Sequence, residues 1–447
     1  MENSNVYYLE EAPVKKAIAY MAIPMILAMF TGVIQNLSDS FFIGKLNNPN
    51  MLAGVMLCLP IVAVFMAVSN IFGVGGSSYI SRLLGEKEYD KIKSVSAFSF
   101  YSSIVVGIIV TIIMLFNLDR ILIFIGASSS TILFAKMYAK ILASGAVLFI
   151  VSFGMGTIIR AEGASKEAMI GMLIGTIGNI ILLPITIFYL NLGVSGSAYA
   201  TLIANMLAVI YYIWYFVYKS PFLSINIKYL KFDLNIIKNI FVIGIPVFIQ
   251  FLFLAGTSVI LNNYAGKYGD YVIVIIGLAV QINMIPEFLV SGLCEGVQPL
   301  IGYNYTSGNK KRMQEIINNT AKLSLGISIV IGLISLSFSQ SFLNIFVNDS
   351  QVLAQGAPLF RILLLAQVAY GIIFLFTNVF QSLGKAKEAM AMSIVQGLGY
   401  LPAIIIGDYL FKLNGIIWAF PVSEFLIALI SLGLFLKIKK EIYNEVL

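Results

Sequence analysis

Long apolar segments, each interrupted by only a few polar residues, repeat along almost the whole chain. A helix crosses a bilayer with roughly 20 apolar residues, and twelve segments reach that length. They lie at about residues 20–44, 53–80, 94–116, 132–157, 167–190, 194–218, 236–262, 271–300, 317–343, 356–380, 388–411 and 414–436. Strands of a membrane barrel would alternate apolar and polar positions over about ten residues. The pattern therefore predicts an all-α integral membrane protein with 12 transmembrane helices.

The composition agrees with this prediction and removes several classes of function. The 447 residues are 59% hydrophobic and 11% charged, with a mean hydropathy of +0.93, so little chain is left for a soluble domain. The absence of His excludes His-based metal sites, His general bases and Ser/His/Asp triads. Cys58 and Cys294 lie inside apolar segments and are expected to be small buried hydrophobic residues. We therefore expect neither an enzyme, a metal site nor a cofactor.

The basic residues predict the orientation in the membrane. When the connections are assigned to alternate sides, about 21 of the 28 lysines and arginines fall on one side. By the positive-inside rule that side is cytoplasmic and holds both termini, as an even number of spans requires. The same residues are scattered through short loops, so the net charge of +7 does not indicate nucleic-acid binding. We therefore expect both termini in the cytoplasm and the lipid bilayer as a partner of the chain.

An internal repeat divides the chain into two halves. Ile23-Pro24 corresponds to Ile245-Pro246, and the segment 163–169 (GASKEAM) to 384–390 (GKAKEAM), each at a displacement of about 222 residues. This predicts a duplicated six-helix unit: an N-terminal bundle over 1–218, a cytoplasmic linker over 219–235 and a C-terminal bundle over 236–447. Because six is even, the copies are related by a pseudo-two-fold axis along the membrane normal. Parallel repeats of this kind are a transporter architecture, although duplication could also have produced only a larger bundle.

Asp39 is the most informative polar residue of the first span. Gln35 and Asn36 precede it by four and three residues, which places all three side chains on one face of the helix. An ionisable group at membrane depth is costly and is by default a hypothesis about function. A desolvated carboxylate there could exchange a proton or hold a sodium ion. The alternative is an aspartate at the helix end among the lipid headgroups.

Two later helices of the same half supply further oxygen atoms. Asn179 lies in the fifth span, and Thr201 and Asn205 lie one turn apart in the sixth. With Asp39 they could form an oxygen-lined pocket for H+ or Na+. Asn and Thr inside membranes also serve as ordinary helix-packing contacts, and this alternative stays open.

The eighth span carries a polar stripe that suits a substrate cavity. Its members follow one another at spacings of four, four, four and three residues, and they are Asn283, Glu287, Ser291, Glu295 and Gln298. Two carboxylates on one face would attract cations, whereas a stripe facing lipid would be prohibitive. Gln250 and Asn378, on the seventh and tenth spans, and Gln35 are further substrate-site candidates, with hydrogen bonding between helices as the alternative. Asp408 and Glu424 are expected at the membrane interface.

Several motifs resemble the multidrug and toxic compound extrusion (MATE) family, and most closely a MepA-like bacterial branch. They are IPMILAMFTGVIQNLSDSFFIGKL in the first span, RLLGEKEYDKIK after the second, RAEGASKEAM after the fourth, GNIILLP in the fifth and GVSGSAYAT in the sixth. GIPVFIQ and EGVQPLIGYNY follow in the second half. The resemblance covers nearly the whole chain. It implies the MATE fold of two six-helix bundles and export of cationic, amphipathic drugs in exchange for H+ or Na+. It also implies a monomer in the bacterial inner (cytoplasmic) membrane whose partners are small-molecule organic cations and the lipid bilayer.

The resemblance also implies roles for single residues. The family's aspartate of the first span corresponds to Asp39, its asparagine of the fifth to Asn179 and its threonine of the sixth to Thr201. One position departs from the pattern, because Leu183 occupies the place where many members carry a second aspartate. The loss of that carboxylate weakens the case for Na+ and favours proton coupling through Asp39.

We therefore predict a multidrug efflux antiporter that works by alternating access. The alternatives are a flippase or an exporter of a lipid-linked or specific small metabolite within the same superfamily, a membrane-embedded enzyme, and a channel. The pathway helices are poor in Arg and Lys, which disfavours a phosphate-bearing lipid. The enzyme is disfavoured because no clustered nucleophile, base or metal ligands are visible in the sequence. A duplicated parallel fold argues against the channel.

Overall fold

The computed structural model describes residues 4–46, 48–346 and 350–444, and in those ranges the regular elements are all helices. The first half begins with a short helix, α1, and continues into long apolar helices. Their bounds are α1 Ser4–Glu10, α2 Val14–Gly44, α3 Pro49–Met56, α4 Leu59–Gly85, α5 Tyr89–Phe124, α6 Ile132–Ser144, α7 Ala146–Ala161, α8 Ser165–Pro184 and α9 Gly193–Tyr218. A π-helical turn, Ile185–Tyr189, prolongs α8 beyond Pro184.

The second half repeats this arrangement after a linker that contains one 3₁₀ turn, Ile227–Tyr229. Its helices are α10 Leu234–Gly266, α11 Asp270–Thr306, α12 Lys310–Ser337, α13 Ser339–Phe346, α14 Ser350–Leu364, α15 Tyr370–Ser382, α16 Ala386–Leu398 and α17 Tyr400–Asn444. A 3₁₀ turn, Leu365–Ala369, connects α14 to α15 within one span.

Twelve crossings follow from these helices. Length and composition give ten unbroken candidate spans in the described chain, and α6 and α7, bent by 57° at Gly145, together form an eleventh. The last candidate, residues 386–443, has 58 residues and would be about 87 Å long as one straight helix. Its backbone is non-helical at Lys412, and a Cβ on Gly407 would lie 2.5 Å from the carbonyl oxygen of Gly415. The chain thus reverses there, which makes two spans and confirms the predicted twelve.

Proline explains where the fifth span departs from a regular helix. The sequence predicts one helix over about 167–190, but the α-helix ends at Pro184 and the chain continues as a π-helical turn. Proline has no N–H and its ring crowds the preceding turn, so the i to i−4 bonding pattern is disrupted at that point. Thr186 compensates in part, because its hydroxyl donates to the carbonyl oxygen of Leu182 at 2.9 Å. The irregular turn begins nearly two helical turns beyond Asn179.

The two bundles pack against each other through small residues at the end of the molecule that carries both termini. We call it the termini end. A Cβ on Gly75 of α4 would lie 2.2 Å from the carbonyl oxygen of Ile240 on α10, and one on Gly244 would lie 2.2 Å from that of Ile71. A Cβ on Gly296 of α11 would meet the Cα of Ala22 at 2.7 Å. Backbones approach this closely only where no side chain intervenes.

Helix α1 adds a further connection across the same end. It belongs to the first half, yet Leu9 accepts a hydrogen bond from the Asn304 side chain of α11 at 2.9 Å. The hydroxyl of Tyr303 donates to Glu10 at 3.1 Å, and Tyr8 stacks on Tyr20 of α2 with ring centroids 3.6 Å apart. The termini end is therefore closed by packing and by hydrogen bonds between the halves.

The hydrophobic cores show that the bundles diverge from this seam. One large cluster of buried residues takes members from both halves, and it lies at the termini end. Two further clusters lie toward the opposite end, one made of residues of the first half and one of residues of the second. The bundles therefore share a core at the termini end and have separate cores beyond it. We call the region between these two separate cores, toward the end opposite the termini, the cleft. The exact division at residues 218 and 235 stays a prediction.

Candidate functional site

Asp39 lies inside the first bundle, against α8 and α9. The hydroxyl of Ser197 donates to its carboxylate at 3.3 Å, and Asn179 is within hydrogen-bonding reach of it. Asn179 is fully buried and donates through its side-chain nitrogen to the hydroxyl of Thr201 at 3.1 Å. The phenol of Tyr138 is also close to the carboxylate. We call these five residues the Asp39 cluster.

The helices explain why these side chains meet. Ser197 and Thr201 lie one turn apart on α9, and the Thr201 hydroxyl donates back to the carbonyl oxygen of Ser197 at 3.0 Å. Asn205, a turn further on, donates to the carbonyl oxygen of Thr201 at 2.9 Å. The polar stripe of α9 thus faces α8, where Asn179 lies nearly two turns before the irregular segment that follows Pro184. With Asp39 on α2 and Tyr138 on α6, four helices from different parts of the sequence bring their oxygen atoms to one place.

One acceptor in the Asp39 cluster has no donor. The side-chain oxygen of Asn179 is buried without a hydrogen-bond partner. A buried acceptor of this kind costs free energy unless something satisfies it. A protonated Asp39 carboxyl group is an O–H donor, and a small cation would be coordinated by the same carboxylate, amide and hydroxyl oxygens. The cluster is therefore suited to taking up H+ or Na+.

Leu183 and Asn36 bear on which ion is taken up. Leu183 is fully buried in the apolar core of the first bundle, so it contributes no oxygen to the Asp39 cluster. Among the described contacts Asp39 is the one carboxylate of that cluster. The side chain of Asn36 lies outside the described part of the structure, so its part in coupling stays a prediction. Gln35 is half-buried on the preceding turn of α2.

The polar stripe of α11 is divided between two environments. Near its middle Asn283 accepts from Gln367 at 2.8 Å and donates to the carbonyl oxygen of Leu363 at 3.3 Å, so it ties α11 to the α14–α15 span. Ser291 is buried and bonds within its own helix. Gln298, near the termini end, donates to Gln381 of α15 at 3.3 Å. Glu287 and Glu295 lie between these contacts and have different partners.

Glu287 belongs to an acidic cluster inside the second bundle. It interacts electrostatically with Glu424 of α17, and Tyr370 and Tyr400 are close to both carboxylates. The hydroxyl of Tyr400 donates to Glu424, which is only 7% exposed. The expectation that Glu424 lies at the membrane interface is wrong. Its position near the middle of the apolar segment 414–436 was the signal that could have shown this.

Asp408 lies where the sequence predicts it, at the end opposite the termini. It accepts from the Tyr268 hydroxyl at 2.5 Å and lies 3.4 Å from the ammonium group of Lys267. Asp408 is also close to Lys412, an exposed residue at the turn. Asp408 is therefore an interfacial residue that ties the end of α10 to the part of α17 that precedes the break at Lys412.

Glu295 forms an ion pair that joins the two bundles. Its carboxylate lies 2.9 Å from the guanidinium of Arg160, the last but one residue of α7. The sequence assigned Arg160 only to the basic side of the membrane, whereas the structure buries it, with 2% exposure. The guanidinium also lies 3.7 Å from the sulfur atom of Met25 on α2. Charged groups of opposite bundles thus meet in the closed seam.

Gln250 and Asn378 are held by contacts within the second bundle. Gln250 donates to Gln396 at 2.5 Å, and Gln396 in turn donates to the hydroxyl of Thr377 at 2.6 Å. Asn378 donates to the carbonyl oxygen of Phe374 one turn earlier at 2.9 Å, while its side-chain oxygen is buried without a partner. These bonds link α10, α15 and α16. Their predicted contact with substrate stays a prediction.

The described residues contain no group of three or more Cys, Asp or Glu side chains arranged to hold a metal ion. Twelve apolar spans in two packed bundles, with a cleft between them and a polar cluster inside each, define a helical membrane transporter of the parallel-repeat kind. Comparison with known proteins narrows this class. The MatE family model matches the chain twice, over residues 24–185 and 246–405, at the displacement expected from the internal repeat.

Similar sequences lead to the same family. The chain is 36% identical over 433 residues to the multidrug export protein MepA of Staphylococcus aureus strain MRSA252, covering 97% of this chain and 96% of that one. The MepA of Staphylococcus saprophyticus is 34% identical over 432 residues, with the same coverage. The chain therefore belongs to the MatE family, which confirms the resemblance in its motifs.

Two solved structures share the fold. An outward-facing multidrug resistance MATE family transporter superposes with a TM-score of 0.90, covering 99% of this chain and 98% of that one at 24% identity. A MOP superfamily transporter from Pyrococcus furiosus gives a TM-score of 0.92 at the same identity, covering 98% of this chain and 99% of that one. The predicted fold of two six-helix bundles is confirmed.

Proposed function

We propose that this protein is a multidrug efflux antiporter that exports cationic, amphipathic compounds across the bacterial cell membrane in exchange for H+. The relatives named as multidrug export proteins, at 36% and 34% identity over nearly the whole chain, support the transport of drugs. The Asp39 cluster supports the exchange with H+. One chain contains both bundles and the cleft, so a monomer is the proposed transport unit, and no cofactor takes part.

The observation that carries the proposal is the position of Asp39. Its carboxylate is held by Ser197 and lies within reach of Asn179, whose side-chain oxygen is buried without a partner, inside the first bundle and away from the seam. Protonation removes a negative charge and adds an O–H donor, for which that oxygen is an available acceptor. The hydrogen bonds of α2 to α8 and α9 therefore depend on the proton. A ligand shifts a conformational equilibrium only by its difference in affinity between the two states. The proton-dependent hydrogen bonds of α2 give H+ such a difference in affinity.

Orientation follows from the distribution of basic residues. The termini end carries most lysines and arginines, and we propose that it faces the cytoplasm. Since the bundles share a core only at the termini end, we propose that the conformation corresponds to an outward-facing state, in which the cleft is the side that opens. Export then requires the seam at the termini end to open so that a drug can enter from the cytoplasm or the inner leaflet.

The acidic groups of the second bundle and of the seam favour organic cations. Glu287 and Glu424 place two carboxylates in the second bundle, and Glu295 lies in the seam between the bundles. Tyr370 and Tyr400 place aromatic rings beside Glu287 and Glu424. A cation over an aromatic face gains about 0.5–2 kcal/mol, and a carboxylate adds a charge-based attraction that requires no exact fit. This combination suits substrates of varied shape.

The direct test measures exchange in proteoliposomes. Purified protein is reconstituted, and efflux of a fluorescent organic cation is followed under an imposed pH gradient and, in a separate arm, under a sodium gradient. We expect a response to the pH gradient and little response to sodium. Asp39→Asn should abolish the response to the pH gradient while leaving binding of the cation measurable. Asp119→Asn is the control, because Asp119 is an exposed carboxylate paired with Lys136 at the opposite end.

Wild-type protein that exports the cation without any gradient dependence would contradict antiport. Unchanged pH-driven efflux in Asp39→Asn would remove Asp39 from the mechanism. A response to sodium alone would assign the Asp39 cluster to Na+.

A further inference from the structure

The ion pair between Arg160 and Glu295 has an unusual setting for a structural contact. It lies between the bundles, with Arg160 on α7 and Glu295 on α11. The Arg160 side chain is 3% exposed, whereas that of Glu295 is 33% exposed. The two members of the pair thus differ in their access to solvent, and the carboxylate is the open one.

The open side of Glu295 faces the cleft. Apart from Glu295, all residues from 290 to 304 of α11 are buried, including those one turn before and after Glu295 on the same face. A residue facing lipid or bulk solvent would have exposed neighbours at spacings of three and four. On the side toward the termini, Gln298 and Asn304 are 1% exposed, so the seam closes that route. Glu295 therefore lies at the floor of the cleft.

The pair can exist only while the seam is closed. Arg160 is fixed to the first bundle and Glu295 to the second, and alternating access requires these bundles to separate at the termini end. A separation of a few ångströms removes the contact, since hydrogen-bonded pairs of this type need about 2.7–2.9 Å between nitrogen and oxygen. Glu295 is then a partly desolvated carboxylate without its counter-ion, in a cavity open to the cytoplasmic side.

We propose that Arg160 is a built-in competitor that expels cationic substrate from Glu295 when the protein becomes outward-facing. In the inward-facing state Glu295 is free and binds the cation. When the seam closes, the guanidinium of Arg160 reaches the carboxylate and neutralises it, so the cation loses its partner and leaves through the open cleft. The inference rests on the proposed export of organic cations and adds the device that makes their affinity depend on the state.

The charge balance supports this exchange. A cation bound to Glu295 and an arginine bound to Glu295 are alternative ways to satisfy one carboxylate, so neither state leaves it unpaired. The Arg160 side chain has a buried Nε without a hydrogen-bond partner, which shows that the guanidinium is not fully satisfied even in the closed seam. An arginine held by a single carboxylate and a sulfur contact has few other bonds to lose when the bundles separate.

The test compares binding of tetraphenylphosphonium with binding of a neutral aromatic probe of similar size to purified protein in detergent. Arg160→Gln removes the competing charge and should tighten cation binding about tenfold, with little change for the neutral probe. Glu295→Gln should weaken cation binding by a similar factor. The double variant should bind the cation as Glu295→Gln does, because Arg160 acts only through that carboxylate. Lys136→Gln is the control, since it removes an ion pair far from the seam.

Transport gives a second measurement. In proteoliposomes Arg160→Gln should slow the release of the cation despite its tighter binding, and Arg160→Lys, which keeps the charge, should restore most of the rate. Arg160→Lys also keeps the test valid if the glutamine variant does not fold. The inference is overturned if Arg160→Gln binds the cation within twofold of the wild type, or if the neutral probe changes equally. These binding results do not depend on coupling to H+, so they separate failure of this inference from failure of the proposed antiport.

Discussion

The seam between the bundles gives the most quantitative prediction. Gly75 lies on α4 where it crosses α10, and a Cβ at that position would be 2.2 Å from the backbone carbonyl oxygen of Ile240. Carbon and oxygen atoms pack no closer than about 3.3–3.6 Å, so Gly75→Ala requires the two helices to move apart by about 1 Å. The obstacle is backbone, so no side chain can rotate away. We therefore expect Gly75→Ala to destabilise the closed seam selectively.

The magnitude follows from the cost of overpacking. Inserting a methyl group into a well-packed interface costs about 1–3 kcal/mol. The bundles do not need to unfold to relieve it, because opening at the termini end removes the contact. A cost of that size lowers the ratio of outward-facing to inward-facing molecules by about 5- to 150-fold. The substitution should thus reverse the conformational preference without loss of the fold.

Spin-label distance measurements can read this preference directly. Labels at Glu86 and Lys311, exposed residues of the two bundles at the termini end, report the width of the seam. Cys58 and Cys294, which are buried and free, would first be replaced by Ser. Gly75→Ala should shift the distance distribution to longer values and slow drug efflux. Gly433→Ala is the control, because nothing lies within 4 Å of the added methyl group. An unchanged distribution in Gly75→Ala would refute the reasoning.

Three further predictions concern other parts of the chain. Burial raises the pKa of Glu162 to about 7, so ionising this carboxylate costs stability as pH rises from about 4.5 to 7, and Glu162→Gln should flatten the pH dependence of the thermal midpoint in that range. An equally steep profile in the variant would contradict this. Lys412 has φ 54° and ψ −135°, a conformation that only Gly adopts without strain, and Lys412→Gly should raise the thermal midpoint by the equivalent of about 1 kcal/mol. A lower midpoint would show that the turn is not strained. Glu287→Gln should reduce affinity for a dicationic drug more than for a monocationic one, measured by fluorescence titration, because Glu424 remains as a single carboxylate. Equal losses of affinity for both drugs would show that Glu287 and Glu424 do not bind the two charges of one drug together.

The Glu162 prediction rests on contacts between the α7–α8 turn, where Glu162 lies, and the start of the linker. Glu162 is 1% exposed and accepts hydrogen bonds from the hydroxyls of Tyr215 and, at 2.7 Å, Ser220. These bonds favour the charged form, while burial, the larger effect, favours the neutral one. Since the raised pKa belongs to the folded state, the folded protein binds more protons than the unfolded chain between the two pKa values. Stability therefore falls with rising pH across that interval and levels off above it.

Much of the site was predictable because membrane helices have strict costs. Asp39, Asn179 and Thr201 are polar residues in apolar segments, and such residues must find partners inside the bundle. The structure brings these three together as expected, although they lie up to about 160 residues apart in sequence. Ser197 and Tyr138 were not predicted. A serine among small residues and a tyrosine in an apolar helix have nothing in the sequence that separates them from ordinary packing residues.

Pairings between the two halves were not predictable in the same way. The stripe on α11 indicates that Glu287 and Glu295 share a face, yet their partners come from α17 and α7. Arg160 lies on the side of the membrane that is rich in basic residues, as the sequence predicts. Nothing in the sequence indicated that it also pairs with Glu295 in the seam. Periodicity defines a face of one helix, whereas the identity of the helix opposite depends on how the bundles assemble.

Hydropathy along the chain determined the twelve spans, because bilayer thickness and backbone hydrogen bonding allow few other solutions. The repeat of about 222 residues determined that two like units face the same way, because each unit has an even number of spans. Only the tertiary structure decided which end of the molecule is closed. That outcome depends on contacts between helices distant in sequence, such as Gly75 against Ile240 and Arg160 against Glu295. No local pattern records a difference that belongs to the interface between two bundles.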